Sequence, residues 1–150
     1  MQILVFSDSH NRIAPMEAMV RELMPDLILH LGDHESDAHA LAHRFPDIPI
    51  RMVRGNCDWG GEAPLLENFE LADKRVVMCH GHRYDVKTHD ADLIAMGREA
   101  GADLLLFGHT HIPYYEVIDG IHVLNPGASS EGCGVIWIAG GEIVCELVAL

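Results

Sequence analysis

Five apolar runs in this chain each end in a short polar stretch, and those stretches carry side chains that can bind a metal ion. The runs cover residues 3–6, 27–31, 48–53, 76–79 and 104–107, and their composition predicts buried β-strands. In open α/β sheets, ligands gather beyond the carboxyl ends of the strands. We therefore expect the polar residues after these strands to converge in one crevice. The candidates are Asp8, His10, Asp33, Asn56, His80, His109 and His111.

The order of the remaining elements predicts the fold class. Helical patterns over residues 15–24 and 36–44 separate the first three strands, and proline stands in the first turn of the first helix, so this part is a βαβαβ unit with parallel strands. A short strand over residues 69–72 and a helix over 90–100 follow. Short strands over residues 114–117, 121–124, 135–138 and 143–148, separated by turn residues, predict a meander of hairpins. We expect an α/β fold in one domain, residues 1–150, with two sheets face to face and helices outside.

Composition limits the classes of partner. The formal net charge of −13 repels a phosphate backbone, so nucleic acid is not expected as a partner. The first apolar run has only four residues and no run approaches the length of a membrane span, so we expect no signal peptide and no membrane contact. Four cysteines without a paired short spacing fit reduced thiols, and we expect a cytoplasmic protein.

The seven candidate ligands are more than one four-coordinate zinc ion requires. Asp8 and His10, like His109 and His111, are two apart, so on an extended backbone both members of each pair would face one ion. Two ions that share the central carboxylate of Asp33 would use the whole set. Imidazole, carboxylate and amide donors without a thiolate favour manganese first, with iron, zinc, nickel or cobalt as alternatives. Each motif alone is also typical of a surface turn, and only their joint occurrence favours a dinuclear centre.

The order of these motifs resembles the calcineurin-like metallophosphoesterases. The similarity rests on Asp8-x-His10, Gly32-Asp33, the loop Gly55 to Asp58, His80-Gly81-His82, and the stretch Gly108 to His111, and it spans roughly residues 3 to 130. The short length and the Asn125-Pro126-Gly127 turn are similar to small bacterial and archaeal phosphodiesterases of the YfcE/MJ0936 type. The resemblance implies a four-layer αββα sandwich. It also implies one ion on Asp8, His10, Asp33 and His111, and a second ion on Asp33, Asn56, His80 and His109.

A dinuclear centre of this kind hydrolyses phosphate esters with a metal-bound hydroxide, so the protein needs no nucleophile of its own. Asn56 would coordinate through its amide oxygen, which leaves its NH₂ group free to donate to a phosphate oxygen. Asp58 is expected to orient a neighbouring ligand or loop amide. His82, two residues beyond His80, would face the same crevice on an extended backbone and contact a ligand or the substrate.

One position departs from the pattern of larger relatives, which carry a histidine after the asparagine that is thought to protonate the leaving oxygen. This chain has Cys57, and a neutral thiol is a weak acid, so activated phosphodiesters are expected to be better substrates than alkyl monoesters. We therefore predict a phosphodiesterase for a small phosphate ester. The alternatives are a nuclease-like phosphodiesterase and a non-catalytic scaffold of the same fold. The short strands of the last third could also pair across an edge to form a homo-oligomer.

Overall fold

Ten β-strands and three α-helices form the computed structural model, which describes all 150 residues. The helices are α1 (Ile13–Leu23), α2 (Glu35–Arg44) and α3 (Ala91–Glu99). The strands are β1 (Gln2–Phe6), β2 (Leu27–His30), β3 (Ile50–Met52), β4 (Leu66–Leu71), β5 (Lys74–Cys79), β6 (Leu104–Leu106), β7 (Tyr114–Ile118), β8 (Ile121–Asn125), β9 (Gly132–Ala139) and β10 (Glu142–Ala149). A 3-10 helix (His82–Tyr84) follows β5.

The strands form two mixed five-stranded sheets. In the first sheet the order is β10-β9-β1-β2-β3, with β1, β2 and β3 parallel and β9 antiparallel to β1. The predicted βαβαβ unit is therefore confirmed. In the second sheet the order is β4-β5-β6-β8-β7, with β5, β6 and β8 parallel.

The four short strands predicted in the last third are present and form two hairpins, but the prediction of one continuous meander is wrong. The β7–β8 hairpin belongs to the second sheet and the β9–β10 hairpin to the first, so the chain crosses between the sheets after Asn125. Each hairpin extends one of the two mixed sheets, and Leu124 from one and Ile136 from the other enter the same core between the sheets. The free energy gained by burying apolar side chains from both hairpins thus exceeds what pairing of β8 with β9 would contribute.

The apolar side chains divide into three clusters that define four layers. The cluster between the sheets is the largest, and includes Val5, Leu29, Val76, Leu104 and Ile136. A second cluster joins the outer face of the first sheet to α1 and α2, and a third joins the second sheet to α3. The α/β four-layer αββα sandwich is confirmed.

Helix α1 illustrates how the sequence fixes these contacts. Pro15 lies in the first turn, where its missing N–H would have no intrahelical partner. Met16, Met19 and Val20 recur at helical spacing and are buried against the first sheet. Met24 ends the helix in a left-handed conformation, and its N–H donates to the carbonyl of Val20 across 2.8 Å. None of the three helices has the length and apolar character of a membrane-spanning segment.

Candidate metal centre

Four predicted ligands lie together at the carboxyl ends of the strands. One ligand atom from each side chain can be chosen so that all four atoms are within 4.8 Å of one another. The carboxylates are buried, while the imidazoles lie at the solvent side. The four residues are Asp8, His10, Asp33 and His111.

Two buried atoms of this group have no hydrogen-bond partner. They are Oδ1 of Asp8 and Nε2 of His10. Asp8 Oδ1 lies 3.2 Å from Nε2 of His111, and His10 Nε2 lies 3.8 Å from Oδ2 of Asp33. Buried polar atoms are nearly always paired, and a carboxylate oxygen beside imidazole nitrogens is a donor set for a divalent cation. These residues therefore fit a metal ion.

His80 and His109 extend the cluster on the side of the second sheet. Nε2 of His80 is 3.4 Å from Oδ2 of Asp33, 3.7 Å from Oδ1 of Asp8 and 3.2 Å from Nδ1 of His109. Burial opposes the charged form of His80, but the hydrogen bond to Asp33 and the charges of Asp8 and Asp33 outweigh it and raise its pKa. Burial opposes ionisation of Asp33 too, yet His80 and the Cys57 amide hold the pKa of Asp33 well below its usual range. A metal ion bound here would replace the proton on the Nε2 atom of His80.

The pKa of His109 falls to about 4, because burial and then the charge of His80 disfavour its protonation. A neutral imidazole is the form that binds metal. We name the six side chains described so far the metal cluster: Asp8, His10, Asp33, His80, His109 and His111.

The loop after β3 encloses Asp33. The carboxylate of Asp58 accepts hydrogen bonds from the backbone N–H groups of Asp33 (3.0 Å), Gly55 (2.8 Å) and Glu35 (2.8 Å). The N–H of Cys57 donates to Oδ1 of Asp33 across 2.9 Å. A Cβ atom at position 55 would lie 2.2 Å from the same oxygen, so only glycine fits there. Asp58 thus contacts backbone amides, as expected from the sequence.

The backbone that presents the ligands is not extended. Asp8, His10, His109 and His111 have φ values of +53°, +45°, +70° and +62°. The predicted alternation along an extended chain is therefore wrong, and left-handed turns bring these side chains together instead. Such conformations cost of order 1–3 kcal/mol each and persist where surrounding contacts fix them. The Asp8 N–H donates to Gly32 (2.9 Å), and the His109 N–H donates to Oδ2 of Asp8 (3.0 Å).

His82 reaches the cluster by a different route from the one predicted. It lies in the 3-10 helix rather than on extended chain, because Gly81 turns the backbone with a φ of +106°. Its ring centroid is still 5.5 Å from that of His80 and 6.2 Å from that of His109. Its Nδ1 atom is buried without a partner, and burial followed by the charge of His80 lowers its pKa.

Asn56 forms no hydrogen bond with the six clustered side chains. It is exposed, and its Nδ2 donates to Sγ of Cys57 across 3.7 Å. The Cys57 thiol is also exposed. Partial loss of solvent around the thiol, followed by the charge of Asp33, raises its pKa. The loop carrying Asn56 contacts Asp33 through the Cys57 amide, so Asn56 lies beside the cluster without contacting its carboxylates in this conformation.

Several residues that support the cluster were not singled out from the sequence as site residues. Ser7 Oγ donates to Oδ2 of Asp8 across 2.6 Å, and Ser9 Oγ lies 2.9 Å from Nε2 of His30. His30 is a buried histidine held by hydrogen bonds, since the Gly32 N–H donates to its Nδ1 across 3.2 Å. The signal available in the sequence was a serine on each side of Asp8.

The Asn125 turn also supports the ligands. Its Nδ2 donates to the carbonyl of Gly108 (3.0 Å) and to Oγ1 of Thr110 (2.9 Å). Ser129 Oγ donates to the carbonyl of Ser7 across 2.7 Å. The turn therefore fixes the backbone next to Asp8 and His109.

Comparison with known proteins gives a consistent result. Residues 1–134 match the sequence profile of the calcineurin-like phosphoesterase superfamily domain. The chain is 32% identical over 131 residues to the probable metallophosphoesterase YsnB of Bacillus subtilis, covering 85% of this chain and 75% of that protein. It is 26% identical over 157 residues to the phosphodiesterase MJ0936 of Methanocaldococcus jannaschii, covering 91% and 87%.

A solved structure and a further sequence relative extend the comparison. A predicted phosphoesterase from Streptococcus pneumoniae superimposes with a TM-score of 0.83 at 25% identity, covering 99% of this chain and 88% of that one. The vacuolar protein sorting-associated protein 29 of Schizosaccharomyces pombe is 30% identical over 139 residues, covering 87% of this chain and 73% of that protein.

Proposed function

Because this chain belongs to the calcineurin-like phosphoesterase superfamily, we propose that it hydrolyses small phosphodiesters with two divalent metal ions held by the metal cluster and Asn56. The observation that carries the proposal is the pair of buried, unpartnered atoms, Asp8 Oδ1 and His10 Nε2, within a group of acids and imidazoles. Two relatives, MJ0936 of Methanocaldococcus jannaschii and YfcE of Escherichia coli, are named phosphodiesterases.

The ligands are assigned to the ions as the family resemblance implies. One ion lies among Asp8, His10, Asp33 and His111, and the other among Asp33, Asn56, His80 and His109. The positions of Asp33 between His10 (3.8 Å) and His80 (3.4 Å) support its role as the shared ligand. The 3.7 Å contact of Asn56 with Cys57 uses its Nδ2 atom, so its amide oxygen is left for the metal ion. Manganese fits the donor set, as do iron, zinc, nickel and cobalt.

When bound, the ions polarise a phosphoryl oxygen and lower the pKa of water. The protein positions these groups, and Asp58 fixes the backbone of Asp33, Gly55 and Glu35. His82 is proposed to contact a metal ligand or the substrate, since its ring lies 5.5 Å from that of His80 and its Nδ1 atom has no other partner. The thiol of Cys57 has a raised pKa and is a poor proton donor, which favours diesters with good leaving groups.

A panel assay tests the proposal. Protein stripped of metal and reloaded with each divalent ion in turn is assayed on phosphomonoesters and on linear and cyclic phosphodiesters. Hydrolysis of diesters ahead of monoesters, abolished in Asp33→Asn and retained in the surface variant His39→Gln, is the expected result. Loss of the ordering between diesters and monoesters would contradict the substrate class.

The similarity to the vacuolar sorting protein supports a second candidate, a non-catalytic scaffold. The buried, unpartnered atoms Asp8 Oδ1 and His10 Nε2 argue for the enzyme, because they suit a catalytic metal ion. Stable capture of a protein partner, with no hydrolysis under any metal, would favour the scaffold. A nuclease-like activity is disfavoured by the net charge of −13, and salt-sensitive binding to single strands would revive it.

The proposal also includes expectations about domain organisation, cellular compartment and oligomeric state. Residues 1–150 are treated as one domain, and the four free cysteines support a reducing compartment such as the cytoplasm. The two sheets expose β10 and β7 at their edges, where a second copy could pair. Light scattering across a concentration series measures whether such a homo-oligomer forms.

A further inference from the structure

A cavity of about 560 Å³ opens beside the metal cluster on the side of the second sheet. Its volume lies within the range of small-molecule sites. We name it the Tyr114 pocket, and the lining residues used here are Val86, Phe107, Ile112, Tyr114, Thr110 and Lys87. Thr110 joins it to the cluster, because this residue stands between His109 and His111.

Half of the residues that line the pocket are hydrophobic. Ile112 is 66% exposed there, although an isoleucine in a soluble protein is usually buried. Phe107 and Tyr114 meet edge to face with centroids 6.2 Å apart, so a flat ring entering the pocket finds aromatic neighbours. Exposed apolar surface next to a reactive centre is typical of a ligand site.

Both walls of the pocket are fixed by hydrogen bonds. Ile112 N–H donates to Oγ1 of Thr110 across 3.1 Å, and Asn125 Nδ2 donates to the same oxygen across 2.9 Å. On the other wall, the loop that carries Lys87 is closed by bonds from Thr88 Oγ1 (3.1 Å) and His89 N–H (3.2 Å) to Asp85. The cavity is therefore preformed, which reduces the entropy cost of binding.

Lys87 supplies positive charge at this position. His89 and the acid Asp90 line the same cavity, so its polar rim carries both signs of charge. The ammonium group of Lys87 can attract the anionic phosphate of a substrate whose organic part occupies the apolar lining.

We infer that the Tyr114 pocket binds an aromatic ring carried by an ester group of the substrate, while the phosphate lies at the metal cluster. The ring is either the base of a nucleoside or another aryl ring. The inference rests on the proposed function for the position of the phosphate. It narrows the substrate class to phosphodiesters with an aromatic group on at least one ester.

Phosphonates test this inference without hydrolysis. Phenylphosphonate and methylphosphonate share the anionic group and differ in the ring. We expect the zinc-loaded protein to bind phenylphosphonate roughly tenfold more tightly than methylphosphonate, from the apolar area that the ring buries. Chemical-shift titration of the backbone amides measures both dissociation constants and identifies the residues that move. A nucleoside 5′-phosphonate, run in parallel, distinguishes a nucleobase from a simple aryl group.

Two variants at the pocket and one control complete the test. Ile112→Ser and Tyr114→Leu should reduce the ring preference to about twofold or less while methylphosphonate binding is unchanged. Val144→Ser, at a similarly exposed apolar residue on β10, should retain the preference. Equal binding of the two phosphonates, or a preference that survives both pocket variants, overturns the inference. Ring-selective binding without any esterase activity would instead keep the pocket and reject the proposed function.

Discussion

His80 donates the proton on its Nδ1 atom to the carbonyl oxygen of Leu31 across 2.8 Å, and this bond orients its Nε2 atom toward Asp8 and Asp33. A backbone carbonyl can only accept, so the tautomer of His80 is fixed. Metal-binding histidines commonly hold their second nitrogen in this way. The strand end that carries Leu31 thus positions a ligand that is 49 residues further along the chain.

Metal stoichiometry distinguishes two ions from one. Asp33 lies near both His10 and His80, so Asp33→Asn should abolish binding of both ions, whereas His10→Ala should remove one. Metal content per chain after gel filtration measures this, with His39→Ala as a surface control. Two ions retained by Asp33→Asn would contradict the shared ligand.

The strand ends could be predicted from the sequence because apolar runs identify buried strands, and parallel strands place their carboxyl ends at one edge. The backbone conformation of the ligand residues could not be predicted in this way. Asp8 and His111 are compatible with both extended and left-handed backbone, and only the tertiary hydrogen bonds to Gly32 and within the cluster select the latter. The partner of each late hairpin was also ambiguous, since short alternating strands pair equally well with a neighbour in sequence or with a distant strand.

Replacement of Asp58 tests a positioning role. Its carboxylate accepts three backbone N–H groups, and Asp58→Asn loses acceptor capacity, so the free energy of unfolding should fall by about 2 kcal/mol. Turnover should fall because Asp33 shifts, while the shape of the pH–rate profile is retained. Loss of one limb of that profile would show instead that Asp58 transfers a proton.

The amide of Asn56 offers a separate test. Asn56→Asp keeps a coordinating oxygen and removes the NH₂ donor, so turnover should decrease about tenfold or more with metal content nearly unchanged. Steady-state rates and metal analysis on the same preparation provide the comparison. Equal turnover at equal metal content would reject a contact between this NH₂ group and the substrate.

Restoring an imidazole at position 57 should broaden the substrate range. Cys57→His leaves the backbone bond to Asp33 in place, because that bond uses the main-chain N–H. A histidine titrates near neutral pH, so turnover of phosphomonoesters should rise about tenfold or more. Cys57→Ser is the matched control. Phosphomonoester turnover by Cys57→His that equals that of the unsubstituted protein at every pH from 6 to 9 would reject the role of this position.

Neutral His30 links stability to pH. Burial lowers its pKa from 6.5 to about 4, outweighing the charges of Asp58, Asp37 and Asp8. Between these two values the unfolded chain binds a proton that the folded chain does not, so stability is fully present above pH 6.5 and falls as pH decreases toward 4.

The full shift corresponds to about 3 kcal/mol. His30→Gln can still donate to Ser9 but does not titrate, so its unfolding free energy should change less over this range than that of the unsubstituted protein. Urea unfolding in chelator, at steps from pH 7.5 to 4, measures the difference without a contribution from metal release. Exposed His39→Gln should follow the unsubstituted curve. Identical slopes for all three proteins would mean that His30 takes up its proton at the same pH in the folded and the unfolded chain, so that the bond from Gly32 to its Nδ1 does not keep it neutral.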